Sequence, residues 1–81
     1  MRLDKYLKVS RLIKRREAAK EFIEKGFVRI NGKIAKPSTE IHLEDVIDIH
    51  SPLGKSIRAK VCEIRNVSTI QDASEMYEIL P

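Results

Sequence analysis

The pair Asn31-Gly32, set between the short β-capable runs "FVRI" and "KIAK", constrains this chain more than any other feature. Both residues tolerate positive φ, which a two-residue type I′ turn requires at both of its central positions, so the pair predicts a tight hairpin. Gly26, just upstream, closes an alanine-rich stretch whose apolar period is helical, because glycine readily takes the left-handed conformation that follows a last helical turn. Helix before Gly26 and strand after it predict an α+β domain. The alternation leaves the hairpin's inner face open: Val28 and Ile30 share one side, yet Ile34 falls opposite Arg29 across a two-residue turn.

Upstream, "RLDKYLKVS" predicts a first short helix with Leu3, Tyr6 and Leu7 at i, i+3, i+4 facing inward. "KRREAAKEFIEKG" predicts a second, in which Ala18, Ala19, Phe22 and Ile23 form one packing stripe. Leu12 and Ile13 anchor the connection between them. Arg16 and Lys20 border the stripe on one side, while Glu17, Glu21 and Glu24 occupy the outer and opposite side. A merely solvated helix would intersperse the signs to gain i,i+4 pairs, and here only Glu21 with Lys25 has that spacing. Lys14, Arg15 and Arg16 also crowd a helix start, where the macrodipole disfavours cations. Local rules broken at modest cost point to function.

Downstream, Glu44-Asp45 marks a turn before a largely buried strand "VIDIH", and Ser51 to Gly54 form a turn into a second strand running to about Ile64. In that strand Ile57, Ala59 and Val61 share one face, and Arg58, Lys60 and Cys62 the other. In the tail, Asp72 as N-cap with Glu75 three residues on predicts a capping box for a short helix docked by Tyr77 and Leu80.

Charge is distributed unevenly. Through Lys36, twelve Lys and Arg face Asp4, Glu17, Glu21 and Glu24, giving +8; the remainder has four bases against eight acids, giving −4. One half of a chain of 81 residues, long enough for one small domain, is therefore a cation. Such asymmetry suits a phosphate backbone, since neutralising phosphates releases counterions. An anionic membrane fits less well, because the basic half lacks the broad apolar face with aromatic anchors that an interfacial helix needs. No apolar run approaches a membrane span and the amino end lacks a signal peptide's apolar centre, so the expectation is a soluble, cytoplasmic protein.

Other chemistries find little support. Cys62 is the single cysteine and reads as a small buried hydrophobe; with His42 and His50 unrelated by helical spacing, no metal or cofactor is expected. "PLGKS" ends like a phosphate-binding loop, but Ile49 stands where that motif needs its first glycine and a strand follows where it needs a helix. No nucleophile, base and orienting acid share a context, so the expectation is a binding module and not an enzyme. Aromatic residues amount to 5%, too few for a base-stacking sheet. Recognition must rest on Arg and Lys reaching phosphates and 2′-hydroxyls, which suits structured RNA read by shape. A helix-turn-helix DNA reader competes, but its recognition helix would expose acids where base-reading side chains are wanted.

The ordered set "RLDKYL", "SRLIKRREA", Gly26, Val28, Asn31-Gly32 and "KPS" at Lys36 to Ser38 resembles the small RNA-binding domain family named after ribosomal protein S-four, over about residues 1–50. The resemblance implies an S-four-like αL fold: two N-terminal helices packed on a small, mainly antiparallel sheet, with a short C-terminal helix. The domain is expected over residues 1–65 and a C-terminal extension over residues 66–81. Stand-alone length, the strand "KSIRAKV" and the terminal "DASEMYEIL" are similar to the ribosome-quality-control branch of the family. That resemblance implies a monomer without catalysis of its own. It would bind obstructed large ribosomal subunits, touch their rRNA and the P-site peptidyl-tRNA, and support alanine tailing with the factor that delivers alanyl-tRNA. The alternatives are heat-shock-type recycling of blocked subunits without tailing, or a detached targeting domain of an RNA-modifying enzyme.

Residue by residue, the resemblance puts Arg2 and Arg16 first for RNA contact, with Lys5, Arg11, Lys14, Arg15, Lys20, Lys36 and Ser38 behind them. Lys36 and Ser38 have a competing role in shaping their turn. Asp4 is read as an acid favourable to the first helix's dipole or as a partner that orients a nearby arginine.

Overall fold

The computed structural model describes residues 1–66 and 69–81, so the predicted extension includes Val67 and Ser68, which lie outside the described residues. Two helices lead, α1 (Leu3–Val9) and α2 (Arg16–Glu24), followed by strands β1 (Val28–Ile30), β2 (Lys33–Ile34), β3 (Val46–His50) and β4 (Ser56–Val61). A short helix α3 (Ile70–Ser74) and strand β5 (Tyr77–Ile79) complete the chain. The sheet has the order β2-β1-β3-β4-β5 and every pairing is antiparallel. This is the α+β, S-four-like architecture expected from the sequence.

Leu3, Tyr6 and Leu7 of α1, Ile23 of α2, and Val28, Ile47 and Val61 of the sheet are fully or almost fully buried in one core. Burying each such aliphatic side chain contributes roughly 1.5–3 kcal/mol. Ala19 is buried and Phe22 half-buried on the stripe expected for α2; Phe22 meets Phe27 edge to face with ring centroids 5.5 Å apart. Leu12 and Ile13 pack against the core from the connection. The helix ends at Lys25 and turns at Gly26, whose φ is +81°.

The hairpin forms at Asn31-Gly32 with φ of +51° and +84°, and its register places Arg29 opposite Ile34 and Ile30 opposite Lys33. Val28 faces the core and Ile34 is exposed, which settles the open face. Tertiary contacts fix it: β1 also pairs with β3, Val28 opposite Ile49 and Ile30 opposite Ile47, and β3 buries Ile47 and Ile49 in the core. Asn31 does more than turn. Its Nδ2 donates to Asp45 Oδ1 at 3.0 Å and its Oδ1 accepts from the Val46 amide at 2.9 Å, bracing the hairpin against the turn before β3.

The C-terminal segment departs from expectation. Thr69, not Asp72, caps α3: its hydroxyl accepts from the Asp72 amide at 3.1 Å, and Glu75 sits at the other end of the helix. The expected short helix is present as α3, and Tyr77, expected to dock it, belongs to a fifth strand paired with β4. The regular part of β4 ends at Val61, and Cys62 lies beyond it, exposed instead of buried. Met76 is fully buried, and its carbonyl accepts from the Tyr6 hydroxyl at 2.7 Å and from the amides of Cys62 and Glu63 at 2.8 and 3.1 Å. Burial pushes the Tyr6 hydroxyl far above the usual tyrosine range. Among the described residues no helix is long and apolar enough to cross a membrane.

Candidate nucleic-acid interface

The amino end of α1 is closed by a loop and not by the side chain of its N-cap residue Arg2. The Leu3 and Asp4 amides donate to the carbonyls of Thr39 and Pro37 at 2.8 and 3.2 Å, satisfying two of the donors that a helix start leaves free. This seats the turn Lys36–Thr39 beside Arg2, whose backbone also bridges to Glu40. The turn is held by Thr39: its Oγ1 accepts from the Lys36 amide at 2.9 Å, and its own amide donates to the Lys36 carbonyl at 3.0 Å. The side chains of Lys36 and Ser38 are exposed.

Asp4 organises the helix junction. Its carboxylate is 3% exposed, one oxygen accepting from the Lys5 amide at 2.8 Å. Arg2 reaches it through Nε at 3.3 Å from Oδ1 and Nη2 at 3.3 Å from Oδ2, and Arg16 places Nε 3.5 Å from Oδ2. Both arginines remain about half exposed. A buried anion thus holds two guanidinium groups side by side, each with further donors turned to solvent. Arg2, Arg16 and Lys20 line one shallow groove with Asp4 at its base and Glu17 at its edge. Burial of the acid and exposure of the bases fits both roles expected of Asp4.

Around this corner the remaining cations divide. Arg11, Lys14, Arg15 and Lys20 are exposed and Lys5 is half-buried. Among the described residues none of these five, nor Lys36, forms an ion pair within 4.0 Å, and the pair expected between Glu21 and Lys25 is not closed. Ion pairs gather instead on the acidic half. Arg58 meets Asp48 at 3.0 Å, Lys60 lies between Glu44 and Glu78, and Arg65 spans Glu63 and Glu75. Glu44 first, then Glu78, raises the Lys60 ammonium above its ordinary value, and the hydrogen bond to Glu63 does the same for Arg65. The fold therefore pairs Arg58 and Lys60 of β4 with acids, engages Arg2 and Arg16 with the buried Asp4, and leaves Lys5, Arg11, Lys14, Arg15, Lys20 and Lys36 unpaired among the described residues.

The structure brings Arg2, Arg16 and Lys20 into one groove and sets Lys36 and Ser38 on the loop beneath α1. Arg15 precedes α2 without a side-chain cap, and Lys14 and Arg11 lie in the connection. Sequence reasoning missed Lys8, which joins Arg11 and Lys14 around Val9. Its place in the last turn of α1, where a cation suits the dipole, gave it an ordinary helical explanation.

Two helices with a predominantly basic junction, packed on a small antiparallel sheet, define a compact class of RNA-binding module. Residues 1–47 match the S4 domain family model. The chain is 48% identical over 80 residues to the RQC P-site tRNA stabilizing factor of Streptococcus pneumoniae, spanning 99% of this chain and 90% of that protein. To the protein of the same name from Bacillus subtilis it is 42% identical over 80 residues, spanning 99% and 92%. The solved trimeric structure of Vibrio cholerae Heat Shock Protein 15 superposes with a TM-score of 0.89 at 28% identity, covering 99% of this chain and 81% of that one. The chain belongs to the S4 domain family and, within it, to the RQC P-site tRNA stabilizing factors.

Proposed function

We propose that this chain is a non-catalytic RNA-binding factor of ribosome-associated quality control, acting as a single copy in the cytoplasm. It binds large ribosomal subunits obstructed by peptidyl-tRNA, contacts their rRNA and the tRNA in the P site, and supports C-terminal alanine tailing with the factor that delivers alanyl-tRNA. The observation that carries this is the buried Asp4 carboxylate holding Arg2 and Arg16 with their remaining donors outward. Relatives at 48% and 42% identity are RQC P-site tRNA stabilizing factors, which supports the choice of P-site tRNA over other RNA.

Planar guanidinium groups match phosphate oxygens with paired donors, and Asp4 fixes their orientation before RNA arrives, so less side-chain entropy is lost on binding. Lys5, Arg11, Lys14, Arg15, Lys20 and Lys36 add phosphate contacts of looser geometry, and Ser38 offers a hydroxyl from the loop. The protein holds tRNA in place while a partner performs the chemistry.

Cosedimentation with obstructed large subunits at physiological salt tests this. Arg16→Ala should release the protein from the subunit fraction while its circular dichroism and melting temperature stay near wild type. Retained cosedimentation removes Arg16 from the site. A second reading, recycling of blocked subunits without tailing, is favoured by the likeness to Heat Shock Protein 15. Alanine tails that vanish when this chain is deleted and return with it support the first; subunit turnover without any effect on tails supports the second.

A further inference from the structure

We propose that Lys8, Arg11 and Lys14 form a second RNA-phosphate subsite, distinct in role from the Asp4-held corner: it supplies salt-dependent affinity, while Arg2 and Arg16 supply register. The inference rests on the RNA-binding reading above and deepens it. The three cations and Val9 line their own recess at the carboxyl end of α1, separate from the groove of Arg2, Arg16 and Lys20.

Three observations carry it. First, no acid lines this recess, and none of the three cations forms an ion pair among the described residues, whereas the neighbouring groove contains Asp4 and Glu17. Lys8 stands one turn beyond Asp4 on α1, the spacing of a helical ion pair, yet the Asp4 carboxylate is engaged by the two arginines instead. Second, Arg11 occupies the left-handed region with φ of +61°, directly after the C-cap residue Ser10. Glycine or asparagine is the ordinary choice there, and an arginine is strained. In this proposal the strain at Arg11 is offset by the phosphate that its side chain binds. Third, most of the local backbone is already engaged. The amides of Ser10, Arg11 and Ile13 donate to the carbonyls of Tyr6, Lys8 and Leu7, and that of Leu12 to Ser10 Oγ, so a ligand here is held chiefly by the side chains.

Two flexible ammonium groups and a strained arginine, none of them oriented by a carboxylate, make point-charge contacts with a phosphodiester backbone. Such contacts steer and tighten binding without selecting geometry. The pinned guanidiniums of the other groove are suited to discriminate one backbone shape from another.

The test compares the full chain with its variants on two RNAs, obstructed large subunits and unstructured poly(U), over a salt series. The Lys8→Ala/Lys14→Ala double variant should weaken both by a similar factor, on the order of tenfold. It should also make the slope of log K against log salt shallower by roughly two, one for each lost phosphate contact, with the preference for subunits preserved. Arg11→Gly should lower affinity in the same uniform way while raising the melting temperature, a combination that a structural role for Arg11 does not produce. An unchanged slope in the double variant, with the wild type still salt-dependent, overturns the subsite. Loss of the preference for subunits, as expected of Arg16→Ala, overturns its separate role. A wild-type chain that binds neither RNA overturns the proposed function along with it.

Discussion

The Tyr6 hydroxyl donates to the Met76 carbonyl at 2.7 Å, joining α1 to the segment that carries β5 across 70 positions of sequence. The same carbonyl accepts the Cys62 and Glu63 amides, so one buried acceptor ties α1, the end of β4 and the C-terminal strand together.

Tyr6→Phe leaves the Met76 carbonyl with its two backbone donors, so the loss is that of one buried hydrogen bond. We expect a destabilisation of about 1 kcal/mol in urea unfolding, with RNA binding unchanged. The pH response has a defined sign. Burial raises the folded-state pKa of Tyr6 above its unfolded value of 10.0, so the unfolded chain releases this proton first and stability falls as pH rises above 10. Unfolding curves between pH 9 and 11 should show a steeper alkaline loss for wild type than for Tyr6→Phe.

Removing the buried acid separates charge from geometry. Asp4→Asn raises the net charge by one, which taken alone strengthens attraction to any RNA, yet it frees Arg2 and Arg16 from their common anchor. Affinity for obstructed subunits should fall several-fold while binding to unstructured RNA holds or rises. Competition binding at fixed salt measures both, and a parallel rise for the two RNAs would refute the orienting role.

At Arg16 the shape of the cation matters. Arg16→Lys retains the positive charge but replaces a planar fork by a point charge, so most of the subunit affinity lost in Arg16→Ala should stay lost. Full recovery by lysine would reduce the contribution of Arg16 to simple charge.

The hairpin brace can be divided by two substitutions. Asn31→Gly keeps access to positive φ and removes the hydrogen bonds to Asp45 and Val46, with an expected cost of roughly 1–2 kcal/mol. A Cβ at Gly32 would meet no atom within 4 Å, so Gly32→Ala should cost only its left-handed backbone strain, about 1 kcal/mol. Thermal or chemical denaturation gives both values.

Local signals were sufficient for much of this protein. Asn31-Gly32 and Gly26 impose backbone conformations that few residues share, and the 3.6-residue spacing of Leu3, Tyr6, Leu7, Ala19 and Ile23 leaves one face to bury; turn, helices and basic junction follow from these alone. The clustering of cations before Lys36 was equally visible, because charge needs no partner to be counted.

Tertiary structure decided what depends on a distant partner. The hairpin face was set by β3, whose buried Ile47 and Ile49 lie beside β1. Strand β5 was hidden because three residues have no period of their own, and Tyr77, Glu78 and Ile79 become a strand only by pairing with Val61, Lys60 and Ala59. Asp72 looked like a helix cap, but Thr69, an equally ordinary capping residue three positions earlier, takes that place and leaves Asp72 in the first turn. Most consequential is Asp4: its sequence position offers a dipole-favouring acid or an arginine's partner, and only the packing of α1 against α2 brings Arg2 and Arg16 to the same carboxylate. The sequence determined that this half of the chain would be cationic; the fold decided which cations are held by a buried acid, which are paired with acids on β4, and which stay unpaired among the described residues, because ion pairing depends on distances that folding alone creates.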